Sequence, residues 1–170
     1  REYPGFVHKV KGLVMMGGTL TMRGNVSPVA EANVACDPQA CDQVFTSGMD
    51  ITVVGLDVTM RTRLKMEHLD WLSGCCKPAC RPAVDYMRQA MAHYLRGNQT
   101  QNYCMGDCPL HDPLAVMCAV MPSLVRTESR KARVECGGTY CRGMIVTDLR
   151  EHPFQAEYVR FAVEVDSERA

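Results

Sequence analysis

The chain has 170 residues, 46% of them apolar, and its nineteen basic and nineteen acidic side chains give a formal net charge of zero. That length suits one compact domain or part of a larger one, and that apolar fraction excludes a disordered chain. A neutral chain lacks the basic footprint of a nucleic-acid or anionic-lipid binder, and no apolar run is long enough to span a bilayer.

Residues 1–12 read as the lead-in to a strand, with no basic segment followed by an apolar one, so no secretory signal is visible. The chain opens on Arg1, and its start reads as an internal cut. Val10 to Met16 is a short buried strand that ends at Gly17-Gly18, and a loop follows to Asp37. Asp37-Pro38 opens a helix, because Asp caps well and Pro suits the first helical position. Ala40, Cys41, Val44 and Phe45 are its apolar stripe and Gly48 ends it. Ile51 to Leu56, rich in β-branched residues, is a second buried strand. Strand, helix and strand in this order predict a parallel βαβ unit with a right-handed crossover.

Met66 to Ser73 reads as a short helix and residues 74–82 as a Cys/Pro/Gly break. Pro82 starts a longer helix with Val84, Met87, Met91, Tyr94 and Leu95 at i, i+3, i+4 spacing, and Gly97 stops it. Residues 97–110 are polar and read as a loop. Asp112-Pro113 opens a helix through Met121 whose apolar character predicts burial on most faces. Ala132 to Cys136, Gly143 to Leu149 and Tyr158 to Val165 read as strands. In the last, Val159, Phe161, Val163 and Val165 alternate with Arg160, Glu164 and Asp166.

Two segments carry the polar groups that chemistry needs. Gly24-Asn25-Val26-Ser27-Pro28-Val29-Ala30-Glu31-Ala32-Asn33 places two carboxamides and a carboxylate after an apolar strand, where open α/β sheets place ligands. Such groups donate to and accept from sugar hydroxyls. Each alone has a plainer use, Gly24-Asn25 as a turn and Asn33 as a loop bridge. His111-Asp112 sets an imidazole beside a carboxylate at a helix start. The imidazole suits a general acid, and the carboxylate suits either a helix cap or one ligand of a hard cation.

The ten cysteines permit a disulfide framework, but the Val-, Leu- and Met-rich core does not need one. Cys41 and Cys118 sit in apolar helical patterns, where a thiol acts as a small hydrophobe. Together they point to a reducing compartment. Cys75, Cys76, Cys80, Cys104 and Cys108 could hold zinc or form a redox module, although they lack two tight C-x2-C pairs.

With these segments in view, the chain resembles the inosine–uridine-preferring nucleoside hydrolases, which are calcium-dependent ribohydrolases. Met16-Gly17-Gly18, the segment from Gly24 to Asn33, and Asp37-Pro38-Gln39-Ala40 look like the family's central signature. Val54-Gly55-Leu56-Asp57-Val58-Thr59 fits the strand that follows, and Leu110-His111-Asp112-Pro113-Leu114-Ala115 looks like the second signature. The likeness runs from Val10 to Val165 and is weakest over the Cys-rich residues 74–108. Ala32 between Glu31 and Asn33 is similar to the plant-type wording.

The resemblance implies an α/β fold, an open, mostly parallel sheet flanked by helices and incomplete at its N-terminus. Residues 1–170 would be the C-terminal part of a single domain. It implies hydrolysis of the N-ribosidic bond of purine and pyrimidine ribonucleosides to ribose and free base. His111 matches the proton donor to the leaving base, and Asp112 matches a calcium ligand that also touches ribose. Asn25 and Glu31 match residues at the 5′ end of the ribose, Asn33 one at its 2′/3′ face, and Met16 one that lines the pocket. A ribonucleoside substrate, a Ca2+ cofactor, a homo-oligomer and a cytoplasmic location go with the family.

The family's N-terminal D-x-D-x-x-x-D-D motif, which supplies the catalytic base and most calcium carboxylates, is not in this sequence. The chain alone is therefore expected to lack hydrolytic activity. The alternative reading is a truncated, inactive paralogue that acts as a binding or regulatory protein.

Overall fold

Parallel pairing of two short apolar strands organises the larger part of the chain. The computed structural model describes residues 3–97 and 106–170. They form two compact units, residues 3–62 with 111–170, and residues 63–110.

In the first unit the lead-in is a 3-10 turn, Pro4–His8. Strand β1 (Leu13–Met16) pairs in parallel with β2 (Ile51–Val54), with Met16 beside Val54. Helix α2 (Pro38–Phe45) is the crossover between them, as the βαβ pattern predicts. Asp37 caps it as expected, accepting from Ala40 N–H at 2.9 Å. A one-turn helix α1 (Ala32–Cys36) precedes it where a loop was expected. Every residue of β2 is buried, as a strand covered on both faces must be. It ends at Val54 rather than Leu56, because Gly55 turns the chain into a short helix α3 (Leu56–Thr59).

The sheet continues through β5 (Val125–Val134), β6 (Ile145–Asp148) and β7 (Tyr158–Val165), in the spatial order β1-β2-β7-β5-β6. β7 joins β2 in parallel, and β5 pairs antiparallel with both β7 and β6. Helices lie against this mixed sheet in the open α/β architecture expected. β7 keeps the predicted bounds and buries Val159 and Phe161. β5 begins at Val125, earlier than the apolar pattern shows. Its first half is charged, and side-chain ion pairs such as Arg126–Glu164 at 2.7 Å bridge β5 to β7.

One core cluster joins Val34, Phe45, Ile51, Val53, Val159 and Phe161, with the Phe45 and Phe161 rings edge to face at 6.1 Å. Each such buried side chain stabilises the fold by about 1.5–3 kcal/mol. A second cluster lies under helix α6 (His111–Val120), where Leu114, Ala115 and Cys118 meet Val54, Val58 and Ala162. Burial of α6 on most faces does not hold among the described residues, since Val116 is 64% and Val120 79% exposed. A helix buries only the stripe that has a neighbour.

The second unit pairs β3 (Arg63–Lys65) with β4 (Asp107–Pro109) antiparallel, tied by Arg63–Asp107 at 2.5 Å. Helices α4 (Met66–Cys75) and α5 (Arg81–Gly97) complete it around Leu69, Met91 and Cys108. Val84 and Met91 are buried as their spacing predicts, whereas Met87 is exposed. β4 lies inside the stretch expected to be a loop, and its pairing is not visible in the polar residues of that stretch.

Candidate active site

The polar groups singled out from the sequence gather at the carboxyl ends of β1 and β2, the edge where α/β sheets bind ligands. Met16 ends β1. The chain then turns through Gly17 and Gly18, both buried. Gly17 N–H donates to the Val54 carbonyl at 3.3 Å, and the Gly18 carbonyl accepts from Leu56 N–H at 2.9 Å. Gly18 has φ +72°, the left-handed region that favours glycine.

Glu31 is the hub of this edge. It is 2% exposed and caps α1, accepting from Asn33 N–H at 2.9 Å and Val34 N–H at 3.2 Å. The same carboxylate accepts from Gly18 N–H at 2.8 Å. Glu is an uncommon helix cap, which is why α1 escapes a reading by capping rules. Asn33 is exposed, and its Nδ2 donates to the Met16 carbonyl and contacts Met16 Sδ, both at 3.3 Å. Asn25 Oδ1 accepts from Ala32 N–H at 2.9 Å. Hydrogen bonds thus link Met16, Asn33 and Glu31, and Asn25 joins them through the backbone of Ala32.

The turn from Gly24 to Ala30 is closed by Asn25 N–H and Val26 N–H to the Ala30 carbonyl, at 3.2 and 3.3 Å. A Cβ on Gly24 would lie 2.2 Å from that carbonyl oxygen and 2.3 Å from the Ser27 carbonyl oxygen. Gly24→Ala is therefore expected to destabilise the chain by about 1–3 kcal/mol, as overpacking does. Urea denaturation of the variant checks this, and an unchanged midpoint would show that the turn yields.

His111 and Asp112 reach the same edge on α6, which packs on β1, β2 and α3. His111 is half-buried, with its Nε2 shielded from solvent, and its Nδ1 lies 2.9 Å from Thr59 Oγ1. By its type Asp112 suits either a helix cap or one ligand of a hard cation. The helix begins one residue earlier, so Asp112 stands exposed in the first turn instead. Among the described residues its carboxylate makes no hydrogen bond or ion pair. Capping does not account for it.

Two residues of this edge escaped the reading from sequence. Asp57, 6% exposed, accepts from Leu20 N–H at 2.7 Å, Thr21 N–H at 2.8 Å, Thr21 Oγ1 at 2.7 Å and Met22 N–H at 3.1 Å. Burial raises the pKa of this carboxyl, but the hydrogen bonds, led by Thr21 Oγ1, outweigh it and hold the group below the usual aspartate range. The stability these bonds give is complete at neutral pH and is lost as the pH falls through the usual aspartate range to the lowered folded value. Thr59, fully buried, is the partner of His111. The available signal was Asp57 inside the apolar run from Ile51 to Val58 and Thr59 directly after it, since a buried polar group needs a partner.

Calcium takes six to eight oxygen ligands. Among the described residues no three His, Cys, Asp or Glu side chains converge, so they do not make a calcium site, and Asp112 offers one carboxylate. The zinc reading gains no cluster from Cys75, Cys76, Cys80 and Cys108 either. Cys104 lies outside the described residues. No described helix is long and apolar enough to cross a membrane.

The family model for inosine-uridine preferring nucleoside hydrolases matches residues 1–170. The chain is 36% identical to uridine nucleosidase 1 of Arabidopsis thaliana over 143 residues, 84% of this chain and 41% of that protein. It is 32% identical to the non-specific ribonucleoside hydrolase RihC of Klebsiella pneumoniae over 167 residues, 98% of this chain and 51% of that protein. The solved plant nucleoside hydrolase PpNRh1 superposes with a TM-score of 0.86 at 32% identity, covering 98% of this chain and 52% of its own. The chain thus spans about half the length of the relatives it matches. Whole-length agreement with the family model and the shared fold place it: the chain belongs to the inosine-uridine preferring nucleoside hydrolase family.

Proposed function

We propose that this chain supplies the ribose-binding residues and the proton donor of an enzyme that hydrolyses the N-ribosidic bond of ribonucleosides. The observation that carries the reading is the gathering of Met16, Asn25, Glu31 and Asn33 by hydrogen bonds at the sheet edge that also receives His111 and Asp112. The names of the relatives, all ribonucleoside hydrolases or nucleosidases, agree with it.

Breaking a bond from C1′ to a base nitrogen leaves positive charge on the ribose and negative charge on the base. Asn25 Nδ2, Asn33 Oδ1 and the Asp112 carboxylate can hold ribose hydroxyls by donating and accepting hydrogen bonds. Carboxylates fixed near the ribose favour its cationic character in the transition state. His111 gives a proton to the departing base, so the base leaves neutral. When bound, calcium would polarise the attacking water. Of the described residues Asp112 would offer it one carboxylate. The homo-oligomeric and cytoplasmic character implied by the family belongs to the same reading.

The full-length protein, incubated with inosine and with uridine, is expected to release ribose as a reducing sugar. Release from neither overturns the reading. Retained nucleoside binding without release would put the binding-protein alternative in its place. Asp112→Ala is expected to change stability by no more than the 0.3–1 kcal/mol or so of a first-turn acid. Inhibition by free ribose should weaken about ten-fold or more, the loss of a hydrogen bond to a charged group. Thermal melting and ribose competition read the two separately, and a large melting shift with unchanged competition returns Asp112 to a structural role.

A further inference from the structure

Helix α3 has only four residues, Leu56–Thr59, yet it carries two buried polar side chains that reach opposite parts of the candidate site. Asp57 gathers the 19–22 segment. Its Oδ1 accepts from Thr21 N–H, Thr21 Oγ1 and Met22 N–H, and its Oδ2 accepts from Leu20 N–H at 2.7 Å and lies 3.4 Å from Thr19 Oγ1. That segment is the only covalent path from Met16 to Asn25. Two residues on, Thr59 Oγ1 meets His111 Nδ1 at 2.9 Å. α3 itself is fixed to the sheet edge, since Leu56 N–H donates to the Gly18 carbonyl at 2.9 Å.

We propose that α3 is a positioning bracket: Asp57 holds the loop between the ribose-binding residues, and Thr59 holds the His111 ring, keeping sugar and proton donor in one register. The proposal rests on the nucleoside hydrolase reading for its consequence, and on the hydrogen bonds alone for its geometry. In the cationic ring both imidazole nitrogens carry protons. Nδ1–H donating to Thr59 stays in place, so the proton that leaves is the one on Nε2. The hydrogen bond at Nδ1 helps to set the tautomer and tilt of the ring. Asp57 and Thr59 are both buried. They act through the Asn25 loop and through His111.

The bracket predicts a split between two variants of the full-length protein. Thr59→Val removes the hydroxyl that meets Nδ1 and keeps the shape. It is expected to lower kcat on inosine by about ten- to a hundred-fold, the scale of a catalytic group misplaced by around 1 Å, with KM unchanged. Thr59→Ser should restore it. Asp57→Asn puts an amide NH2 against N–H donors whichever way it turns, because each oxygen of Asp57 accepts from a backbone amide. It is expected to raise KM about ten-fold on any nucleoside with a smaller change in kcat. If Asp57→Asn does not fold, Thr21→Val deletes one hydroxyl bond to Asp57 and tests the same loop.

Two readouts do not need turnover. The 15N chemical shifts of the His111 imidazole should change in Thr59→Val and return in Thr59→Ser. Hydrogen exchange at Leu20, Thr21 and Met22 should accelerate about ten-fold or more in the Asp57 or Thr21 variant, which is a loss of about 1.4 kcal/mol in local protection. An unchanged His111 spectrum, or unchanged exchange in the loop, overturns the bracket. So does a parallel fall of kcat and rise of KM in both variants, which would mark a general loss of fold. If the spectra and the exchange respond as expected but no nucleoside is hydrolysed by the parent protein, the bracket stands and the hydrolase reading falls.

Discussion

His111→Ala is expected to depress turnover of inosine by about 10²–10⁴-fold, the worth of a well-placed general acid, while p-nitrophenyl riboside loses far less. The reason lies in the leaving groups. A purine expelled as an anion is a poor leaving group until a proton reaches it, whereas p-nitrophenolate is stable without one. At about 1.36 kcal/mol per factor of ten, the inosine loss corresponds to roughly 3–5 kcal/mol of the barrier. The geometry makes the substitution informative. His111 contributes a ring held by Thr59, while Leu114, Ala115 and Cys118 anchor α6 from the same helix. The helix therefore stays seated when the ring goes, and the variant reports on the proton rather than on folding. Steady-state rates on the two substrates, measured on one preparation, check it. Equal losses on both remove proton donation from His111 and leave it a packing role beside Thr59.

What could be read from sequence divides along physical lines. β7 was legible to the residue because its apolar side chains alternate and end in charge on both sides. The βαβ unit was legible because Asp37-Pro38 marks a helix start unambiguously and β-branched residues follow. β5 was half hidden, since Arg126, Glu128 and Arg130 carry no apolar signal and find their partners across or along strands. α1 was hidden because its cap is a glutamate whose other bond is to Gly18, a contact thirteen residues away. The site divides in the same way. Residues within the two signatures were found as types, but what each side chain does locally was not. Asp112, which could be a cap or a cation ligand, stands exposed in the first turn, and Glu31, read as a sugar ligand, also serves as a buried cap. Asp57 and Thr59 stand in the sequence only as part of the likeness to the strand after the signature, because their types do not show which distant groups they meet. Only the folded chain shows that each reaches across to another segment.

The buried position of Glu31 sets the second large expectation. Its carboxylate accepts three backbone N–H groups, those of Gly18, Asn33 and Val34, at 2% exposure. Deleting a cap costs about 0.5–2 kcal/mol, and each buried amide left without an acceptor costs about 1–3 kcal/mol more. Glu31→Ala is thus expected to destabilise the protein by about 3–5 kcal/mol, against about 1 kcal/mol for a typical substitution. Glu31→Gln keeps one carbonyl acceptor and turns an NH2 toward an N–H donor, so it should fall between the two. The carboxylate still has lone pairs to offer a ribose hydroxyl. A sugar ligand and a cap nevertheless predict different orders of loss. As a ligand alone, Glu31 would lose ribose affinity in both variants with stability kept. As the hub of the edge, it loses stability first, and Asn33 and Met16 lose their placement with it. Urea denaturation alongside ribose binding separates the two. An Ala variant that melts with the parent but no longer binds ribose would show that Gly18, Asn33 and Val34 do not depend on this carboxylate, and that the edge is held by its backbone alone.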